Sequence, residues 1–309
     1  METNQPLVSV NVLMYNSSKY ILETLESIRA QTYQNIELIM SDDKSTDNTV
    51  QICEKWIAQN KDRFASYQIL VPDHNTGQSG NYNRAFRAAT GEWIKEIDGD
   101  DLLLPNCLTD LMEFVDANPE AKYVFGRLEL FGGSKQSRAF FKDVFIYDFY
   151  NWPKEKQLEQ LIFKRNCIPS QCAFYNKAYI VKLGFENDER IPYIEDYPKW
   201  IKLIQNGVKF YFCDKVLAKY RLGTGISTPD NCGIIFYKAH RLLDMYYLYP
   251  EWLKRGEDYA VNRIVDEMCH MFHNYQSLRS SMRMKIANIL FIPVDILIKM
   301  KEKLCQIIH

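Results

Sequence analysis

Apolar positions along the chain alternate between two patterns. Leu7 to Met14 is a short apolar run with β-branched residues, which predicts a strand buried on both faces. After Tyr15-Asn16-Ser17-Ser18, residues Ile21, Leu22, Leu25 and Ile28 recur at helical spacing, with Ser17 or Ser18 as the cap. Ile36 to Met40 repeats the strand pattern and breaks at Ser41-Asp42-Asp43-Lys44-Ser45. Val50, Cys53, Trp56 and Ile57 then mark a second helical face, and Tyr67 to Val71 a third strand. Gly77 opens a helix carrying Tyr82, Ala85, Phe86 and Ala89, Thr90-Gly91 closes it, and Glu92 to Ile97 is a fourth strand. Strand and helix in repeated alternation predict an α/β fold, a parallel sheet with helices on both faces. Ligands of such sheets sit at the carboxyl ends of the strands. Tyr15, Asp42-Asp43 and Asp98-Gly99-Asp100-Asp101 each follow a strand, so three polar clusters far apart in the chain are expected on one edge.

Beyond Pro105 the pattern predicts a helix (Leu108, Leu111, Met112, Val115), a strand from Tyr123 to Phe131 and a turn at Gly132-Gly133. Residues 134–152 read as irregular and aromatic, an insertion or acceptor loop. Cys172 to Tyr175 suits a strand, and residues 195–206 a helix with Tyr197, Trp200, Ile201 and Ile204 inward and Gly207 at its end. Residues 208–212 and 215–220 read as a strand pair, and the chain from about 233 onward as helical. The 309 residues, 47% apolar and 25% charged, exclude a long disordered chain. A formal charge of -1 argues against nucleic acid as a partner, since such surfaces are usually strongly basic. The eight cysteines have neither zinc-finger nor Cys-x-x-Cys spacing, which suits buried thiols in a reducing compartment. With no export signal at the N-terminus and no long apolar stretch, the expected location is cytoplasmic.

The acidic clusters carry the candidate chemistry, each with a plainer alternative. Asp98, Asp100 and Asp101 crowd three carboxylates into four residues. Like charges so close call for a cation, and oxygen ligands select Mg²⁺ or Mn²⁺, leaving positions for phosphate; the plainer reading is a turn capping the helix near Pro105. Asp42-Asp43 suits recognition of a base N–H or a ribose hydroxyl, or a turn. Tyr15 suits stacking on a nucleobase, or core packing. Glu195-Asp196 opens a helix, where acids complement the dipole; alternatively Asp196 is a general base.

In order and spacing, these pieces resemble the inverting family 2 glycosyltransferases of bacterial polysaccharide, O-antigen and capsule assembly, which have the GT-A fold. The resemblance covers roughly residues 6–230. It rests on Val8-Ser9-Val10 with Tyr15-Asn16, Ser27 to Tyr33, Asn35 to Ile39, Ser41 to Asp47, Asn75 to Ser79 with Asn83, and Gly91-Glu92-Trp93-Ile94 leading to Asp98-Gly99-Asp100-Asp101. Gly184-Phe185, Glu195-Asp196-Tyr197 with Trp200, and Tyr220-Arg221 follow. The resemblance implies a mostly parallel central sheet flanked by helices. It implies a catalytic domain over residues 1–230, with a nucleotide-sugar half (about 1–104) and an acceptor half (about 105–230), and a helical C-terminal extension over 231–309. It also implies roles: Asp43 on the uracil edge, Tyr15 beside the base, Asp98 and Asn83 at the nucleotide-sugar, Asp100 or Asp101 on a Mn²⁺ or Mg²⁺ ion, and Asp196 as the catalytic base. The chemistry implied is transfer from a nucleotide-sugar, UDP-linked, to a hydroxyl of a saccharide or lipid-linked saccharide. Two positions depart from the family pattern. Gly223 stands where many relatives carry a metal- or phosphate-binding His, and Ala85 replaces a glycine. A nucleotide- or carbohydrate-binding protein on the same fold, weak in catalysis, is the alternative that Gly223 leaves open.

Other readings fit less well. A receiver-type signalling domain is shorter, a nucleotidyltransferase would need a glycine-rich loop after the first strand, and a processive synthase would carry membrane helices and Gln-x-x-Arg-Trp. Addition of a single sugar is therefore expected. Residues 279–303 carry six basic side chains against two acidic ones, a net of +4, around the apolar block Ile286 to Ile298. That pattern suits peripheral contact of residues 279–309 with the inner face of an anionic membrane; packing on the catalytic domain or on another subunit of a homo-oligomer is the alternative.

Overall fold

The computed structural model describes residues 5–141, 144–191, 193–224 and 234–265. The chain divides into two compact units, Met1–Phe236 and Tyr237–His309.

The first unit is built on an eight-stranded sheet, order β3-β2-β1-β4-β7-β6-β8-β5. Strands β1 (Val8–Met14), β2 (Ile36–Asp42), β3 (Ser66–Leu70) and β4 (Trp93–Asp98) are mutually parallel and occupy one half. Helices α1 (Ile21–Arg29), α2 (Thr49–Asn60) and α3 (Gly77–Ala88) connect them in the expected alternation. The strand residues alternate in facing. Val8, Val10, Val12 and Met14 of β1 share one core cluster with Ile21, Leu25 and Ile28 of α1, and with Cys53, Trp56 and Ile57 of α2. Leu108, Leu111, Met112 and Val115 of α4 (Cys107–Ala117) join that cluster. The opposite face of β1 and β2 carries α3 and is more polar: Ser41 Oγ donates to Asn81 Oδ1 at 2.6 Å.

The second half of the sheet is mixed. Strand β7 (Phe174–Asn176) runs antiparallel to β4 and to β6 (Tyr123–Gly132), while β8 (Tyr211–Leu222) runs parallel to β6 and antiparallel to the short β5 (Leu102–Leu103). Helices α5 (Lys135–Phe141), α6 (Lys154–Phe163), α7 (Lys177–Lys182) and α8 (Asp196–Gln205) complete the unit, so it is an α/β fold with a sheet flanked by helices, as expected.

Four local expectations need correction. Neither Ser17 nor Ser18 caps α1 with its side chain; the backbone carbonyl of Ser17 accepts from Ile21 N at 2.9 Å. Leu22 lies on the open side of α1, 50% exposed. Residues 211–222 form one strand rather than part of a strand pair, because Asp214-Lys215-Val216 is an exposed irregularity that β6 matches with register shifts at Arg127. The 134–152 stretch contains α5 and a 3₁₀ segment (Tyr147–Asn151) that buries Phe149 and Tyr150.

The second unit is helical where described. It holds the end of α9 (Ile234–Leu243), a π-helical turn (Asp244–Leu248) and α10 (Tyr249–Leu253). Trp252 is buried, with the Arg263 guanidinium 5.3 Å from its ring centroid. The basic segment 279–309 lies outside the described residues. Among those described, no helix is long and apolar enough to cross a membrane, and Cys53, Cys107, Cys167, Cys172 and Cys213 are buried free thiols.

Candidate active site

The strand order creates the site. From β1 the chain moves outward to β2 and β3, then returns to the other side of β1 as β4. That reversal leaves a crevice at the carboxyl ends of β1 and β4, where open α/β sheets bind ligands. Met14 pairs with Asp42 and Leu13 with Asp98, so the ends of β2 and β4 flank the end of β1. The last β1 carbonyls accept one N–H from each exit: Asp43 N to Met14 O and Gly99 N to Leu13 O, both 2.8 Å. A side chain at Gly99 would come within 3.0 Å of Ser17 Oγ and 3.3 Å of the Leu13 carbonyl, so glycine lets the acidic loop lie close to the β1 exit.

Asp42 and Asp43 divide their tasks. Asp42 is fully buried and accepts from Ser45 N at 2.7 Å, so it is the turn residue of the pair. Asp43 Oδ1 accepts from Thr76 N (2.9 Å), Thr76 Oγ1 (2.6 Å) and Arg84 Nη2 (3.2 Å). Arg84 also donates to Thr76 Oγ1 (2.7 Å), the Asp42 carbonyl (3.0 Å) and Asn81 Oδ1 (3.0 Å). With a further bond to Ser41 Oγ at 3.4 Å, five bonds therefore fix one guanidinium, which together with Thr76 fixes one carboxylate oxygen. Tyr15 projects at the end of β1, 51% exposed, and does not pack in the core. Its loop is anchored from behind by Asn16 Oδ1, accepting from Thr46 N at 2.8 Å, and by Thr49 Oγ1, accepting from Ser17 N at 2.8 Å.

Asn83 differs from its expected place at the donor. It is 1% exposed and its amide is committed: Nδ2 donates to the Asn187 carbonyl (3.0 Å) and Glu189 Oε1 (2.9 Å), and Oδ1 accepts from Asn187 N (2.8 Å). Asn83 ties α3 to the loop that leads into α8, and with every amide hydrogen in use it has none to offer a ligand.

The acidic loop after β4 is equally differentiated. Asp101 is fully buried; Oδ1 accepts from Arg221 N at 2.8 Å, and Oδ2 is buried without a partner. It joins the loop to β8. Asp98 and Asp100 keep partial exposure. Burial, then the charge of Asp100, push Asp98 up to about 7, against a hydrogen bond from Gln171, with Glu96 and Asp196 adding to the rise. Asp100 is raised by burial, opposed by Thr224 and Arg221. Arg221 Nε donates to the Asp100 carbonyl at 2.8 Å while its Nη2 pairs with Glu23 at 2.7 Å, so its charge is divided between the acidic loop and Glu23.

Asp196 is the first residue of α8, and its charge reaches Asp98. Asn166 Nδ2 donates to its Oδ2 at 2.9 Å. Burial raises it above the ordinary carboxylate range, opposed by Lys199, Asn166 and the backbone amides of Tyr197 and Asp196. Such a carboxylate is a stronger base than a solvated one. Beside it Glu195 accepts from Gln78 Nε2 at 3.2 Å, tying α8 to α3.

Among the described residues no group of three or more His, Cys, Asp or Glu is arranged to hold a metal by itself. The donor set nevertheless fits a phosphate-bound divalent cation. Such ions take one or two protein carboxylates and complete their shell with water and phosphate, and here an unpartnered buried oxygen belongs to Asp101, which burial and then the charges of Asp100 and Asp98 raise. The linkage has a definite sign. Asp98 holds its proton up to about 7, while its ordinary value is 3.8, so its contribution to stability is present below about pH 4 and lost as pH rises through about 7. A cation competes with that proton, so Mn²⁺ with UDP is expected to raise the melting temperature more at pH 7.5 than at pH 5.5. Equal thermal shifts at both would contradict this.

Sequence reasoning placed the acids but not their keepers. Arg84, Asn166 and Gln171 carried no recognised signal, and Thr76 stood in a recognised motif without a role.

Fold and site together define a class: an α/β protein with an acid cluster at its topological switch point and a further carboxylate, Asp196, whose charge reaches that cluster. Residues 9–184 match the model of Glycosyl transferase family 2, and the chain belongs to that family of glycosyltransferases. It is 27% identical over 253 residues to the uncharacterized glycosyltransferase MJ1057 of Methanocaldococcus jannaschii, covering 81% of each chain. It is 28% identical over 221 residues to the Escherichia coli UDP-Glc:alpha-D-GlcNAc-diphosphoundecaprenol beta-1,3-glucosyltransferase WfaP, covering 71% of this chain and 78% of that one. Among solved structures, S. aureus TarS 1-349 in complex with UDP-GlcNAc aligns with a TM-score of 0.57 at 22% identity, over 80% of this chain and 66% of that one. The mannosyltransferase PcManGT of Pyrobaculum calidifontis, in complex with GDP-Man and Mn2+, aligns with a TM-score of 0.52 at 20% identity, over 82% of this chain and 65% of that one.

Proposed function

We propose that this glycosyltransferase moves one sugar at a time, with inversion, from a UDP-linked donor to a hydroxyl of a lipid-linked saccharide in surface-polysaccharide synthesis. What supports the reading is that Asp43 and Asp98 leave the ends of β2 and β4 on either side of β1, while the charge of Asp196, at the start of α8, reaches Asp98. Asp43, its Oδ1 held by Thr76 and Arg84, addresses the uracil edge, and Tyr15 covers the base. Asp98 takes the ribose. Asp100, the partly exposed acid two residues on, would hold the divalent cation, with Asp101 fixing the loop to β8 through Oδ1 and keeping its unpartnered Oδ2 for the same ion. When bound, that cation neutralises charge on the departing diphosphate, a large term in such transfers. Asp196 removes the proton of the acceptor hydroxyl as its oxygen attacks the anomeric carbon from the face opposite the leaving group. Single displacement needs one base, unlike glycoside hydrolysis, which also needs a carboxylic acid at the leaving oxygen. The lipid-linked acceptor follows what WfaP is named for.

UDP release from UDP-sugars with Mn²⁺, and after chelation, tests the reading. Release that requires Mn²⁺ is the expected result; nucleotide binding without release would favour the binding-protein alternative.

Arg84→Met tests the donor side separately. Losing the guanidinium leaves Asp43 Oδ1 held by Thr76 alone, so UDP binding is expected to weaken about tenfold, roughly 1.4 kcal/mol, with kcat near that of the wild type. Calorimetry with UDP and steady-state kinetics check both halves.

A further inference from the structure

The first turn of α8 carries a second buried charge. Lys199, three residues after Asp196 and so on the same side of the helix, is 8% exposed. Its Nζ lies 3.9 Å from Glu96 Oε2, and 3.9 Å and 4.8 Å from the ring centroids of Tyr82 and Trp200. Glu96 is equally covered. It precedes Asp98 by two residues on β4, so both side chains leave the same face of the sheet. Tyr175 on β7 donates its hydroxyl hydrogen to Glu96 Oε1, and the Tyr175 and Tyr82 hydroxyls share a 2.8 Å bond. One network therefore links β4, β7, α3 and α8 beneath the crevice.

A buried lysine and glutamate are expensive, and an apolar pair of similar volume is often as stable or more so. The pair therefore calls for a reason other than packing, and its surroundings supply one. Glu195 and Asp196 from its own helix, Glu96 and then Asp98 from β4, and the hydroxyls of Tyr82, Tyr123 and Tyr175 all face this region. Lys199 is the cation acting on both Glu195 and Asp196.

We infer that Lys199 is a positioning residue for sugar transfer: anchored on Glu96 and the Tyr82 ring, its ammonium holds the first turn of α8 against the strand bearing Asp98 and sets a positive charge behind Asp196. It touches neither donor nor acceptor. The inference rests on Asp196 as the base, and it deepens that reading by naming what fixes the base.

Lys199→Met alone would leave Glu96 buried and unpaired, a change that threatens the fold. The informative variant is therefore Glu96→Gln with Lys199→Met, measured beside Lys199→Arg and Asp196→Asn. The readout is UDP release from UDP-glucose or UDP-N-acetylglucosamine, whichever the wild type turns over faster. In the double variant kcat is expected to fall roughly tenfold to a hundredfold, as misplacement of a reacting group does, with donor KM within about twofold. Lys199→Arg, which keeps the charge, is expected to retain most of kcat. A folded double variant with wild-type kcat overturns the inference, and so does one whose loss appears in donor KM alone. Asp196→Asn separates the two layers: turnover retained there defeats the base assignment, whereas turnover lost there but kept in the double variant defeats only the role of Lys199.

Discussion

Asp196→Asn is expected to lower kcat by about 10³-fold, within the usual range for removing a general base, while UDP binding stays within about twofold. The substitution is nearly isosteric. Asn166 donates to Asp196 Oδ2 at 2.9 Å, and an asparagine can turn its own carbonyl oxygen to that donor, so the first turn of α8 should hold its shape. What disappears is a carboxylate that burial has raised and Lys199 and Asn166 keep in balance. UDP meets Asp43 and the β4 loop in this account, so its affinity should be indifferent to position 196. Kinetics and calorimetry on the same preparation check both statements. Transfer at the original rate would remove Asp196 from the chemistry.

The second large effect pairs a loss with a gain. Asp100→Asn should cost on the order of 10²–10³ in kcat/KM through loss of cation-dependent leaving-group stabilisation. It should also make the protein without ligand more stable. After burial, the charge of Asp100 does most to raise Asp98 and Asp101. Removing it lets its neighbours ionise at lower cost. The melting temperature should rise by roughly 2–4 °C for each kcal/mol of strain relieved. A residue held only for folding would show the reverse, a lower melting temperature with activity lost in proportion. Differential scanning calorimetry without divalent ions, beside turnover with Mn²⁺, distinguishes the two.

Much of this architecture can be read from residue order because the central strands β1 and β2 of the parallel half are buried along their whole length. A strand buried on both faces is mostly apolar, so Val8–Met14 and Ile36–Met40 stand out as runs even with Ser9, Asn11 and Glu37 buried among them, and the acids that follow them mark one edge. Reading stops where burial is shared with polar partners. Ser41 and Asp42 extend β2 because Ser41 bonds to Asn81 and Asp42 closes its own turn, a pairing invisible in the run itself. In β8 the exposed Asp214-Lys215-Val216 looks like a turn between two strands, yet Leu217 and Ala218 return to the core and keep the strand whole. The keepers of the acids are hardest to see. Arg84 meets Asp43 across 41 positions and Gln171 reaches Asp98 from the 3₁₀ turn Ser170–Cys172 that precedes β7, and no local periodicity reports such contacts. Asn83 shows the converse. Its place in a recognised motif suggested a ligand contact, whereas its amide braces the loop that carries α8.

Crystals grown with UDP and Mn²⁺ test the central claim most directly. The account requires the uracil beside Asp43 and Tyr15, the diphosphate and its ion beside Asp98 and Asp100, and the Asp196 carboxylate facing them across an open acceptor space. A nucleotide bound away from the β1–β4 crevice, or one whose diphosphate points away from the β4 loop, would contradict it.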